Sequence, residues 1–390
     1  MVALDAYTIS VILFFIALAI VLYIDRAKLE VKKFLGIPIL FMRRTKRFMS
    51  IIDGIAKISP LFWKAFSTLG VFIAFASMIY GFYFLFATST AVSAGIITKP
   101  ALQLILPSLS STGAEGPGYI LIPFWFWLIT IAVILIPHEF MHGVIARAEK
   151  VKLKSVGLLL LGFLPGAFVE PDERNLKKAG FWTKIRIFAA GSFANFLIAA
   201  LVFSVITGYV WPSSVGSGIA ITSVTENSPA ALAGLAVGEV ITKINNKDVQ
   251  ATYSEYLDGK GYFFQEVGEA KPGDTIKIET DSKAYTTNLV EKDGAAYLGI
   301  NYSPIYKVSE QSFLQTMQLL TMIWLFSLAV GIVNILPLHP LDGGLFYQTI
   351  MDRFARKNSA QIVKLTSFVV LGLILYSFLG PVVINVIGSV

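Results

Sequence analysis

The chain has no cysteine, only three histidines in 390 residues, and charged side chains at just 15% of positions. Without cysteine there is neither a disulfide framework nor a thiolate metal site, so any metal must be held by nitrogen and oxygen. The scarcity of charge accompanies 55% hydrophobic residues and a mean hydropathy of +0.69. That composition excludes an ordinary soluble domain and indicates an integral membrane protein. Six stretches contain no Asp, Glu, Lys or Arg: Ala6 to Ile24, Ala65 to Thr98, Gly116 to Pro137, Ile187 to Thr225, Gln311 to Leu341 and Leu365 to Val390. Each is long enough for a spanning helix of roughly 20 residues. The first does not read as a cleavable signal, because Asp5 precedes it, no basic residue does, and its apolar core is too long.

Lys and Arg are distributed unevenly between these stretches. Ten lie between the first and second, nine between the third and fourth and four between the fifth and sixth, whereas Lys99 stands alone between the second and third. By the positive-inside bias the first, third and fifth connections are cytoplasmic and both termini face outside. The long fourth connection, about residues 212 to 310, carries 8 basic and 13 acidic residues and falls outside by alternation. The formal net charge of +7 is thereby accounted for without a nucleic-acid partner. The first connection also holds an apolar run, Phe34 to Phe41, which suggests that it lies along the anionic cytoplasmic surface of the bilayer. Pro100 to Ser108 reads as an apolar external segment resting at the interface.

Two of the three histidines form His138-Glu139-Phe140-Met141-His142, an HExxH motif at the cytoplasmic end of the third stretch. On a helix, side chains at i and i+4 lie one above the other, so both imidazoles reach one ion with Glu139 about a quarter turn away. Zinc is the metal expected of that pattern. Ionisable groups inside a membrane are costly and are functional by default, which makes a merely structural role for the motif improbable. Pro137, directly before it, removes one amide donor and predicts a kink. A catalytic zinc site needs a third protein ligand. Asp342 is the sole carboxylate between Glu310 and Asp352, in Asn334-Ile335-Leu336-Pro337-Leu338-His339-Pro340-Leu341-Asp342-Gly343-Gly344. Prolines that break the helix and glycines that permit a tight path let this carboxylate turn inward.

Charge and turn signals return after Trp211. The alternating run Gly218 to Val224, the capped segment Ser228 to Gly234, the strand-and-turn Gly238 to Asp248, and Pro272-Gly273-Asp274 followed by Thr275 to Glu279 arrive in the order of a PDZ domain of the bacterial protease-associated kind, which this segment resembles. Such a domain adds a peptide strand to a sheet edge, and the implied partner is a peptide or a substrate ectodomain. A steric cap over the membrane part is an equal alternative.

Taken together, HEFMH at 138–142, Gly191-Ser192-Phe193-Ala194-Asn195, the 334–344 element and the inserted PDZ-like segment resemble the site-2 protease family of intramembrane zinc metalloproteases over about residues 119 to 345. The resemblance implies His138, His142 and Asp342 as zinc ligands and Glu139 as catalytic base. It also implies Asn334 and Asn195 as polar residues that hold substrate, although asparagine also serves as interhelical glue. His339 is expected to be a polar neighbour rather than a ligand. Glu170 is a substrate gate, a contact to the metal when no water is bound, or a solvated interfacial carboxylate, the last being favoured. Val156 to Gly166 is too short to span as a helix, and the resemblance implies a re-entrant β-hairpin there, presenting an edge to substrate.

The expected fold is therefore a polytopic α-helical membrane protein of about six transmembrane helices with a re-entrant β-hairpin and one α/β PDZ domain. Its divisions fall at 1–118 (two helices and the basic connection), 119–211 (first part of the core), 212–308 (PDZ domain) and 309–390 (second part of the core and the last helix). The expected activity is hydrolysis of peptide bonds within transmembrane protein substrates in the lipid bilayer, with Zn2+ and with the PDZ domain extracytoplasmic. The competing readings are a membrane adaptor with a structural zinc and a metal-ion transporter; the latter is weakened by the lack of further intramembrane carboxylates.

Overall fold

Local sequence signals set the ends of the helices. In the computed structural model, which describes residues 5–34, 37–116, 118–210, 216–249, 266–267, 269–306 and 310–388, helix α1 covers Ala6–Ile24 and is capped by Asp5, whose side chain accepts the Thr8 N–H. Strands β1 (Leu29–Phe34) and β2 (Ile37–Thr45) form an antiparallel pair, and helix α2 (Met49–Ile58) follows. Helix α3 (Pro60–Ser93) starts at a Ser59 cap with proline in its first turn, the position where a missing N–H costs nothing. Next come β3 (Leu104–Ser108), β4 (Ala114–Gly116) and β5 (Tyr119–Pro123), a small three-stranded sheet. Helix α4 (Phe124–Ala148) carries HExxH.

After α4 the chain forms β6 (Leu153–Leu161) and β7 (Leu164–Pro171), joined by a two-residue turn at Gly162, whose φ is 61°. The short α5 (Glu173–Lys178) and the long α6 (Phe181–Val205) follow, the latter ending in a single π turn at Ile206–Val210. By contact the chain divides into two units, Met1–Ala200 with Met322–Val390, and Leu201–Thr321.

The second unit is β-rich: β8 (Gly216–Val224), α7 (Pro229–Ala233), β9 (Val240–Ile244), β10 (Lys247–Asp248), β11 (Thr275–Thr280), β12 (Ala284–Asn288), β13 (Val290–Lys292), β14 (Ala295–Tyr297) and β15 (Ile300–Tyr306). Its main sheet runs β12-β11-β9-β8-β15, with β10 paired to β9. Ile219 and Ile221 of β8, Ile241 and Ile244 of β9, and Ile276 and Ile278 of β11 fill its core. As the sequence predicts, Ser228 caps α7 through the Ala231 N–H, and Gly234 ends it at φ 83°. Residues 250–265, within the expected PDZ segment, lie outside the described residues.

Helices α8 (Glu310–Ile335), α9 (Asp342–Phe354) and α10 (Ser359–Gly388) complete the chain. Among the described residues six helices are long and apolar enough to cross a membrane, ending or beginning near Ala6, Pro60, Phe124, Phe181, Ser312 and Ser359. The third begins eight residues later than the uncharged stretch suggests, since 119–123 pair as a strand, and it continues through Pro137 to Ala148. Within Pro100 to Ser108, the apolar segment expected at the interface, Leu104–Ser108 form a strand parallel to β5.

The basic first connection carries structure that the sequence does not reveal. Rather than only lying on a surface, it adds two strands to the hairpin, giving a four-stranded sheet in the order β1-β2-β6-β7. Thr45 pairs with Val156 and Arg43 with Leu158. Helix α2 then packs on α4, burying Ile52 and Ala56 against Val144, Ile145 and Ala148. Arg147 closes this packing with two bonds to Asp53, at 2.5 and 3.0 Å. The same end of the bundle is tied again by Arg186, which donates to Glu149 at 2.8 Å and to Thr68 at 2.9 Å.

Candidate metal centre

Helix α4 delivers His138 and His142 from successive turns, and their Nε2 atoms stand 3.3 Å apart. The first residue of α9, Asp342, brings Oδ2 to 3.0 Å from each of them. Both imidazoles are buried. Asp342 arrives by a short irregular connection after Ile335, and its neighbour Gly343 packs so closely that a Cβ there would lie 2.1 Å from the Ile335 carbonyl oxygen. Only glycine allows α9 to begin at that point.

The surroundings fix which ring nitrogens face inward. The Nδ1–H of His142 donates to the Ile187 carbonyl of α6 at 2.7 Å, leaving Nε2 as a lone pair. Asn195, wholly buried on α6, places its side-chain amide 3.1 Å from Nδ1 of His138. With the amide nitrogen toward the ring, Asn195 Oδ1 has no partner. Turning the amide over gives that oxygen the ring N–H and leaves His138 with its lone pair on Nε2. Two lone pairs and a carboxylate oxygen then face one point, an arrangement that could hold a cation. The spacing fits one: a tetrahedral zinc with bonds of ~2.0–2.1 Å separates its ligands by about 3.3 Å. Gly191 of α6 leaves this space open, since a Cβ at that position would sit 2.4 Å from both Nε2 atoms.

Glu139 points from the next position of the helix into a different contact. Its Oε2 accepts the Val169 N–H of β7 at 3.0 Å, so the carboxylate bridges α4 and the hairpin. Asn334 is half-buried in the last turn of α8, and its side chain makes no hydrogen bond among the described residues. His339 is exposed, and its backbone N–H donates to Ser367 Oγ at 3.3 Å. Glu170 is held at the base of the sheet by Arg44, by Lys154 at 2.8 Å and by Ser155 at 2.7 Å. It therefore belongs to a charge cluster of the sheet and not to the histidine–aspartate group. Sequence reasoning missed the Ile187 carbonyl and the Val169 N–H, because a main-chain group leaves no residue signature, and it missed the Asp53–Arg147 pair because both are ordinary charges outside the uncharged stretches.

The helices and this buried group define a multi-pass membrane protein with a nitrogen-and-oxygen metal site. The model of peptidase family M50 matches residues 126–377, and the chain belongs to that family, the site-2 proteases, whose peptidases are zinc metalloproteases. It is 27% identical over 382 residues to an uncharacterized protein of Methanocaldococcus jannaschii, covering 92% of this chain and 95% of that one. The PDZ domain of an SdrC-like protein of Listeria monocytogenes matches 22% of this chain and 87% of its own length, at 26% identity and a TM-score of 0.18.

Proposed function

We propose that the chain is an intramembrane zinc metalloprotease that cuts peptide bonds within transmembrane segments of membrane protein substrates, as in regulated intramembrane proteolysis. The observation that carries the reading is the convergence of His138, His142 and Asp342, spaced as zinc ligands, with Glu139 on the adjoining residue of the same helix. A bound zinc supplies Lewis acidity toward water and toward the scissile carbonyl. Glu139 takes the proton of the attacking water and returns it to the leaving amine. His142 and His138 keep their lone pairs inward through the Ile187 carbonyl and Asn195, and Asp342 offsets part of the metal's charge.

A helical substrate hides its carbonyls in its own hydrogen bonds, so it must be unwound before it is cut. The Asn334 side chain, with no hydrogen-bond partner among the described residues, offers a replacement bond to the substrate backbone, and Asn195 acts through His138. The β6–β7 hairpin is proposed to be re-entrant. Phe163 at its turn packs on Trp127 with ring centroids 6.3 Å apart, while Val169 meets Glu139. It thus follows α4 from Trp127 to Glu139, about 18 Å at 1.5 Å per residue, which carries it to the depth of the helix. Its exposed Leu158, Leu161 and Phe163 suit lipid or an apolar substrate. The connection at Arg26–Lys64 is placed in the cytoplasm, and the PDZ-like unit outside, where it meets peptides or substrate ectodomains.

The test is purified protein in proteoliposomes with a transmembrane substrate and added zinc. Cleavage that is lost in Glu139→Gln and on chelation supports the reading. Intact substrate across varied lipids and sequences, with zinc still bound, assigns the chain to the adaptor class instead.

A further inference from the structure

The cavity that contains Glu139 has a volume of about 830 Å³. Val156, Ala167 and Val169 of the sheet form one wall, and Ile52 and Phe140 of α2 and α4 form another. These are apolar, as expected beside a peptide bond destined for hydrolysis in a membrane. The exposed part of the lining is different in kind: it holds Lys28 and Arg47 beside Phe48, which is 59% exposed.

The charges of this lining do not balance. Its cations are Lys28, Arg43 and Arg47, and its one carboxylate is Glu139, already engaged by the Val169 N–H. Arg43 is bonded to Asp25. Lys28 stands 3.7 Å from that same carboxylate, so one anion faces two cations. Arg47 has no ion pair among the described residues. The positive-inside bias accounts for basic residues somewhere in a cytoplasmic connection. It does not require three of them to line the cavity that holds Glu139.

A chain whose scissile bond lies at Glu139 leaves the cavity past these cations with the residues on its cytoplasmic side. Most transmembrane segments end there in Lys or Arg, through the same bias. Such flanks meet like charge in a cavity with low-dielectric walls, whereas an acidic flank meets opposite charge. We propose that Lys28 and Arg47 set substrate specificity, admitting transmembrane segments with an acidic cytoplasmic flank and rejecting those with a basic one. This rests on the peptidase reading given above.

The experiment uses the full chain with zinc in proteoliposomes and one transmembrane substrate in three versions, with Asp-Asp, Ser-Ser or Lys-Lys directly after the cytoplasmic end of its span. The wild type should cut the Asp-Asp version with a kcat/KM about tenfold above the Lys-Lys version, and the gap should narrow as salt is raised. The double variant Lys28→Glu with Arg47→Glu should reverse the order, and Lys28→Gln with Arg47→Gln should flatten it. Equal kcat/KM for all three versions in the wild type overturns the specificity proposal and leaves the peptidase reading standing. An order unchanged in the Glu double variant, with cutting retained, overturns the assignment to these two residues. If none of the three versions is cut by wild type, the peptidase reading itself fails and takes the proposal with it.

Discussion

Glu139 and Val169 are joined by a hydrogen bond of 3.0 Å between a side-chain carboxylate and a backbone N–H at the outer edge of β7. In a regular antiparallel strand, alternate residues direct their main-chain groups to the same side. Positions 165, 167, 169 and 171 therefore share that edge with Val169, and two of them, Pro165 and Pro171, have no N–H to offer. Proline is tolerated where a strand does not donate to its ladder. The edge thus has two donors, at Ala167 and Val169, one of them given to the residue proposed as the base.

Val169→Pro removes this donor without removing a ladder bond, in a strand that already carries proline at equivalent positions. The freed carboxylate loses its fixed placement, and kcat should fall about tenfold, as expected when a reacting group is misplaced by a fraction of an ångström to an ångström. Zinc content measured by mass spectrometry should stay at the wild-type level. A fall in zinc together with kcat would mean that the bond supports the metal site as a whole.

Gly191→Ala tests the open space opposite the ligands. A Cβ there would lie 2.4 Å from both Nε2 atoms, closer than any real contact, and the rings cannot yield without leaving their partners on α6. Zinc stoichiometry should drop to near zero while the protein remains monodisperse in detergent by size exclusion. Full zinc occupancy in this variant would show that the ligands converge elsewhere.

Asn195→Ala removes the partner of His138 Nδ1 and leaves the ring free to rotate or to change tautomer. Loss of such an outer partner costs about 10–100-fold in metal affinity. A chelator competition series against the wild type reads that ratio directly. An unchanged affinity would return Asn195 to the role of interhelical glue.

Asp53→Ala leaves Arg147 without the carboxylate that it grips through two nitrogens, at a place where both side chains are 27% exposed. Breaking a half-buried, bidentate pair of this kind should destabilise the bundle by about 1–3 kcal/mol. Thermal unfolding in detergent should show a lower midpoint, with substrate preference unaltered. A midpoint within error of wild type would class the pair with surface ion pairs of little worth.

Helices and motif were legible in the chain because each is a local property. Six apolar runs, the capped turn at Ser228 and the i, i+4 histidines need nothing beyond helix and strand periodicity to be seen. Asp342 was legible by elimination, as a lone carboxylate in an apolar region. The sheet β1-β2-β6-β7 was not, because Arg43 and Leu158 are 115 positions apart and a strand records its own alternation without naming its partner. Uncharged runs do not mark helix ends: α4 starts at Phe124, inside its run, and continues past both histidines and Glu139 to Ala148, since a backbone ladder continues regardless of side-chain charge.

By itself, the sequence determined that this is a membrane protein with an oxygen-and-nitrogen metal motif, since hydropathy and residue spacing act within a few turns of one segment. Only the tertiary structure decided where Glu139 rests, which main-chain carbonyl orients His142, and that a basic connection shares a cavity with the proposed base. Those depend on main-chain groups and distant pairings, whose energies arise only once the elements have packed.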